Sequence, residues 1–203
     1  ASFLLAFGLS RVQINTDNVK DLSFSGAGAK NAAARQASEI APFFTPEVQR
    51  WGEKITIWSQ RWGMDPNLIA TVMQIESCGN PKALSGAGAM GLFQVMPYHF
   101  AVDDDPFKPV TNAERGLNYL KNALDTRDGD YRLAFAGYNG GINGAKQPEN
   151  AWPAETQRYV YWGTGIYEEA KKGASSSRRL NEWLSNGGAS LCAQAAQVLG
   201  LNP

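Results

Sequence analysis

The chain has 203 residues, and its 19 Lys and Arg balance 19 Asp and Glu, so the formal charge at pH 7 is zero. That length suits one domain with an added segment, and the neutral balance argues against nucleic-acid partners and against electrostatic attachment to an anionic membrane. With 43% hydrophobic residues the composition also argues against disorder, while 21 Gly and 6 Trp suit a neutral, ring-shaped ligand such as a glycan.

Residues 1–45 read as an N-terminal extension. Their apolar run at 3–9 is far short of the roughly 20 residues of a membrane-spanning helix, and it lacks the initiator Met and basic flank of an intact signal peptide. It reads equally as an arm packed on the domain or as the remnant of an anchor, with Ala1 suiting a mature or trimmed product. A small-residue tract covers 23–34. Its segment 25–29 recurs at 85–89, but a single echo does not make a repeat.

From Pro46 onward the signals are helical, and no run of alternating strands is convincing. Val48, Trp51, Ile55, Trp58 and Trp62 form one stripe at three- and four-residue steps, with Gly63 as its stop. Asp65-Pro66 then supplies an N-cap followed by Pro at the first helical position. The helix it opens carries Leu68, Ile69, Val72 and Ile75, and Gly79-Asn80-Pro81 ends it after about Ser77. A loop spans 82–97. Thr111 and Glu114 spell a capping box before Ala113, Leu117, Leu120 and Leu124. Further helices are expected over about 130–137, 154–171, 178–185 and 189–199.

Glu76 stands near the C-terminal end of a short, largely apolar helix. Apolar neighbours and the negative end of the helix dipole both disfavour its ionised form there, so its carboxyl can stay protonated near neutrality and act as a general acid. From periodicity alone, Glu76 is equally a solvated helix-end residue. Around it stand Gln74-Ile75-Glu76-Ser77, Asn80-Pro81, Ser85 and then Gly91-Leu92-Phe93-Gln94-Val95-Met96-Pro97. Downstream come Thr111-Asn112, Gly116, Tyr119-Leu120, Gly137-Tyr138-Asn139-Gly140-Gly141, Glu155-Thr156 and Tyr159-Val160. Taken in this order, the segments resemble the catalytic core of the soluble lytic transglycosylases over residues 47–170, with Phe93 where that family has a Met. Residues 1–45 lie outside the resemblance, and 172–203 share little of it.

The resemblance implies a mainly helical, lysozyme-like α+β fold with at most a small β element. Residues 46–203 would form the catalytic domain, its C-terminal helices serving as a tail. It also implies cleavage of the β-1,4 bond between N-acetylmuramic acid and N-acetylglucosamine in peptidoglycan. In such enzymes the muramic acid's own C6 hydroxyl attacks its anomeric carbon and leaves a 1,6-anhydro end. Glu76 would be the only general acid and base, so a second catalytic carboxylate becomes dispensable, unlike the usual glycosidase pair. Ser85 matches a serine near the reacting bond, and Gln94 and Met96 match residues lining the cleft. Tyr138 and Asn139 would face Glu76, the phenol bonding the acid or the substrate, while Glu155 and Tyr159 match a more distal part of the cleft. Each has a structural alternative: Met96 as core, the Gly-rich turns as tight packing. The alternative functions are a muramidase that hydrolyses the same bond and a glycan-binding module without turnover. The expected partner is the peptidoglycan glycan strand, met by a monomer outside the cytoplasm in a bacterial or phage-like setting, with no cofactor and no metal.

Other signals carry less. Residues 86–91 spell GxGxxG, but a helix precedes them where a dinucleotide fingerprint needs a strand. His99 is the only histidine and reads as structural. Asp103-Asp104-Asp105 reads as a solvated acidic turn, lacking the spacing of a calcium loop. Trp51, Trp58 and Trp62 read as core, whereas Trp152 and Trp162 are the candidates for sugar stacking. Cys78 and Cys192 are too few for a disulfide scaffold, yet an exported protein would allow them to pair and staple the tail beside the Glu76 helix.

Overall fold

The computed structural model describes residues 40–201. The apolar run at 3–9, the small-residue tract at 23–34 and most of the expected extension lie outside the described residues.

Among the described residues eight α-helices follow one another: α1 (Pro46–Gln49), α2 (Gly52–Trp62), α3 (Pro66–Ser77), α4 (Pro109–Asp125), α5 (Tyr131–Gly140), α6 (Ala154–Lys171), α7 (Arg178–Trp183) and α8 (Ala189–Leu199). The β content among the described residues is two isolated antiparallel bridges, Leu84 with Met90 and Met90 with Val95. The expectation of a mainly helical chain with a minor β element is therefore met.

The positions of α3 explain the architecture. Leu68, Ile69, Ala70, Val72 and Met73 are buried around the whole circumference, and a helix that is apolar on every side must be surrounded. It packs against α1, α2, α6 and α8. Asp65 caps it as expected, accepting from the Asn67 N–H at 2.8 Å. Tyr167 of α6 donates to the other Asp65 oxygen at 3.0 Å, tying the start of α3 to α6. Phe93, Phe135, Leu117, Leu120 and Ile166 complete the core.

Three local expectations are corrected. The stripe from Val48 to Trp62 spans two helices, because the chain bends at Trp51 (φ −97°, ψ 1°). The stripe survives the bend: Trp51 stays buried, and its indole donates to the Gly79 carbonyl at 2.9 Å. The capping box at Thr111 does not start α4. Pro109 does so earlier with Lys108 as N-cap, since proline's fixed φ and missing N–H fit the first helical position. Helix α5 continues past residue 137 to Gly140, which puts Tyr138 and Asn139 on its last turn.

The tail folds back on the body. Helix α8 packs on α1 and α3, and Cys192 is disulfide-bonded to Cys78 with 5.0 Å between their Cα atoms. No helix among the described residues is long and apolar enough to cross a membrane.

Candidate active site

The site begins where α3 stops. Cys78 takes the left-handed conformation (φ 49°), its N–H closing on the Gln74 carbonyl, and this leaves Glu76 on the last turn. The next residue locks that turn to the loop behind it. Ser77 donates to the Leu92 carbonyl at 2.7 Å and accepts from the Gly79 N–H at 3.1 Å.

The loop over 82–97 is held by one buried amide. The Asn112 carbonyl oxygen accepts from the Phe93 N–H at 2.8 Å, and its amino group donates to the Met90 and Pro106 carbonyls at 2.7 and 2.9 Å. Only glycine fits opposite it: Gly91 has φ 72°, and a Cβ there would lie 2.4 Å from the Asn112 amide nitrogen. Gln94 also has a positive φ, 45°, rare for a side chain larger than glycine. Its amide donates to the Gly91 carbonyl at 3.0 Å and the Ala83 carbonyl at 3.3 Å, so the carbonyl oxygen is what it can present to a ligand.

The opposite wall comes from α5 and α6. Tyr138 donates to the Phe93 carbonyl at 2.7 Å, and the contact depends on Gly116 of α4, where a Cβ would sit 2.6 Å from the Phe93 Cβ. The phenol proton is therefore committed to the loop, and its oxygen is left to accept a hydrogen bond. Asn139 accepts from the Thr156 hydroxyl at 2.8 Å, which joins the end of α5 to the start of α6. Tyr159 lies one turn after Glu155 on α6. Its hydroxyl is buried without a hydrogen-bond partner, whereas Glu155 is exposed.

Electrostatics single out Glu76. Burial pushes its carboxyl from the ordinary 4.5 up to about 8; the Glu155 charge adds to the rise, and the nearby Tyr159 hydroxyl opposes part of it. That hydroxyl does not reach full hydrogen-bond geometry with any partner, so the burial of Glu76 dominates. Burial, followed by the charge of Glu76, pushes the Tyr138 and Tyr159 phenols well above their usual range. Near neutral pH all three groups therefore keep their protons: one acid and two phenols around one point.

An open cleft adjoins this point. Gln94, Met96, Tyr138 and Asn139 line it, together with Tyr98, His99 and Tyr119. Ser85 does not line it. Its hydroxyl accepts from the Ala89 N–H at 2.9 Å and closes the 85–89 turn. Trp152 is no sugar platform either. It is 5% exposed, and its indole donates to the Gln147 carbonyl at 3.0 Å. Trp162 is half-buried against the core, its indole nitrogen inaccessible to water. The grouping with metal-ligand spacing among the described residues is Glu47 with Cys78 and Cys192. Those sulfurs are bonded to each other and offer no thiolates.

A profile of the Transglycosylase SLT domain matches residues 53–159, a span that takes in Glu76, the loop with Gln94 and Met96, and the Tyr138, Asn139 and Tyr159 wall. The chain belongs to this family. A transglycosylase of Enterobacteria phage PRD1 is 40% identical over 113 residues, covering 54% of this chain and 40% of that protein. Membrane-bound lytic murein transglycosylase C of Mannheimia succiniciproducens is 40% identical over 75 residues, covering 30% of this chain and 21% of that one. The chain thus spans less than half the length of these relatives. Among solved structures, an inactive mutant of lytic transglycosylase Slt from Pseudomonas aeruginosa superposes with a TM-score of 0.50. It is 21% identical and covers 60% of this chain and 24% of its own, a likeness of fold.

Within this SLT domain, sequence reasoning missed two features of the site. Asn112 sits in a recognised segment, yet nothing in the sequence shows that its amide bonds Phe93 and Met90 of the loop carrying Gln94 and also Pro106. His99 reads as structural, yet it lies in the cleft wall between Tyr98 and Tyr119. No spacing signal could reveal this, because the rings come from two separate segments.

Proposed function

We propose that this SLT domain, residues 46–203, cleaves the β-1,4 bond between N-acetylmuramic acid and N-acetylglucosamine in peptidoglycan strands. It would act as a monomer outside the cytoplasm and need no cofactor. The observation that carries the proposal is Glu76, a carboxyl raised to about 8 by burial, whose charge reaches Tyr138 in the wall of an open cleft. Such an acid is protonated at neutral pH and close enough to it to give up and regain a proton in one cycle. Relatives named lytic murein transglycosylase support the choice of substrate.

The protonated Glu76 donates to the glycosidic oxygen as the bond from the muramic anomeric carbon breaks. The N-acetylglucosamine hydroxyl leaves, and Glu76 is then a carboxylate in a desolvated site, where it is a strong base. It takes the proton of the muramic C6 hydroxyl while that oxygen bonds to the anomeric carbon. The ring closes as a 1,6-anhydro product, Glu76 is protonated again, and no water is consumed. Tyr159, a buried donor without a partner, suits the transient carboxylate, because a hydrogen bond strengthens as its acceptor gains charge. Tyr138 accepts while Glu76 is protonated, and Gln94, Met96 and Asn139 hold the sugars along the cleft. Ser85 serves through the turn that it closes.

Glu155 supplies the one specific ground for a hydrolytic alternative, since it is a second carboxylate whose field reaches Glu76. Activating a water would yield reducing ends. Digestion of purified peptidoglycan followed by mass spectrometry decides between the two. Anhydro-muropeptides, lighter by one water, are expected from the wild type and not from Glu76→Gln. Reducing ends alone, or equal activity in both proteins, would overturn the proposal.

A further inference from the structure

The aromatic side chains at the cleft rim form a continuous series. The Tyr98 ring lies 4.6 Å from His99, His99 lies 4.8 Å from Tyr119, and Tyr119 lies 5.8 Å from Tyr138, measured between ring centroids. The inner end is therefore the phenol that feels the charge of Glu76. The outer end is Tyr98, which is 76% exposed, whereas His99, Tyr119 and Tyr138 are half-buried. The backbone presents it rigidly. Residues Pro97–His99 form a 3₁₀ turn, with the His99 N–H bonded to the Met96 carbonyl at 3.0 Å and the Phe100 N–H to the Pro97 carbonyl at 3.1 Å. Met96, Tyr98, His99, Tyr119 and Tyr138 all line the same cleft.

A large ring held in water at the mouth of a cleft is apolar area waiting to be covered. The chain carries no net charge with which to draw in a ligand. Pyranose rings have apolar C–H faces and polar edges, and a rigid aromatic face covers the former while leaving the latter hydrated. From this series we infer that Tyr98, with His99 and Tyr119 behind it, forms a stacking subsite for a sugar ring beyond the scissile pair. The subsite would make binding depend on strand length, and it rests on the proposed action on glycan strands.

The test uses the full chain carrying Glu76→Gln, so that bound sugar is not consumed. Titration calorimetry with chitobiose and chitotetraose reads the affinities. Tetraose is expected to bind more tightly than biose, and Tyr98→Ala to weaken tetraose about tenfold, or about 1.4 kcal/mol, with little effect on biose. Tyr98→Phe, which keeps the ring, is expected to retain the tetraose affinity. In the Glu76 protein acting on purified peptidoglycan, Tyr98→Ala is expected to raise KM about tenfold, with most of the loss falling on KM and not on kcat. Unchanged tetraose affinity in Tyr98→Ala, loss in Tyr98→Phe equal to that in Tyr98→Ala, or no tetraose binding at all would overturn the subsite. A length-dependent loss in a protein that leaves peptidoglycan intact would instead uphold the subsite and refute the proposed reaction.

Discussion

Replacing Glu76 by Gln should stabilise the protein at neutral pH while abolishing turnover. The folded carboxyl holds its proton up to about pH 8, whereas the unfolded chain releases it at the ordinary 4.5. Between those values the folded state binds one proton more than the unfolded state, so stability falls as pH rises, by about 1.4 kcal/mol per unit. At pH 7 the gap is about 2.5 units, which amounts to about 3 kcal/mol of destabilisation carried by this one side chain. That is an upper figure, because Glu76 is half-buried and keeps some contact with water. Gln has the shape of the protonated acid and never ionises, so it removes the penalty. For a domain of this size the gain is about 6–12 °C in Tm at pH 7. Below pH 4.5 both states of the wild type are protonated and the advantage vanishes; above pH 8 it levels off. Thermal and urea unfolding of both proteins, followed by circular dichroism from pH 4 to pH 9, measures the difference. A Glu76→Gln protein no more stable than wild type at pH 7, or a difference that does not change with pH, would refute the reasoning.

Other consequences follow from the same geometry. In the proposed reaction the acid form of Glu76 acts first, so kcat/KM should fall above about pH 8, by about tenfold per unit; a rate that rises there would contradict the assignment. Asn112→Ala removes three hydrogen bonds at a buried position and leaves the Met90 and Pro106 carbonyls and the Phe93 N–H without that partner. It should cost about 2–4 kcal/mol in denaturant unfolding and lower activity with it, whereas a loss under about 0.5 kcal/mol would show that the loop is held otherwise. The bond between Cys78 and Cys192, 114 residues apart, should contribute about 4–5 kcal/mol by restricting the unfolded chain. Thiol titration of unreduced, denatured protein should find no free thiol, and Cys192→Ser should lower Tm; two free thiols would rule the bond out.

Much of α3 was legible because its signals are local. Asp65-Pro66 can hardly be anything but a helix start, Gly79-Asn80-Pro81 stops it, and Glu76 falls near the end by counting alone. Apolar periodicity likewise placed α6 and α8, since burial against several neighbours demands it. Signals failed where a local preference lost to a neighbouring constraint. Thr111 and Glu114 spell a capping box, but Pro109 had already started the helix. Trp152 beside Pro153 suggests a sugar platform, yet its indole finds the Gln147 carbonyl and the ring is buried. Tertiary juxtaposition was hidden altogether. That Asn112 should clasp a loop some twenty residues earlier, or that His99 should lie between Tyr98 and Tyr119, depends on how α4 crosses the loop. No period in the chain encodes that crossing.

The origin of the oxygen in the product tests the role of Glu76 and the C6 hydroxyl most directly. Digesting purified peptidoglycan in heavy-oxygen water and weighing the muropeptides separates the two fates of the anomeric carbon. Ring closure by the sugar's own hydroxyl predicts anhydro ends that carry no label. Labelled reducing ends as the primary product would mean that water attacks, and that Glu76 works as the acid of a hydrolase.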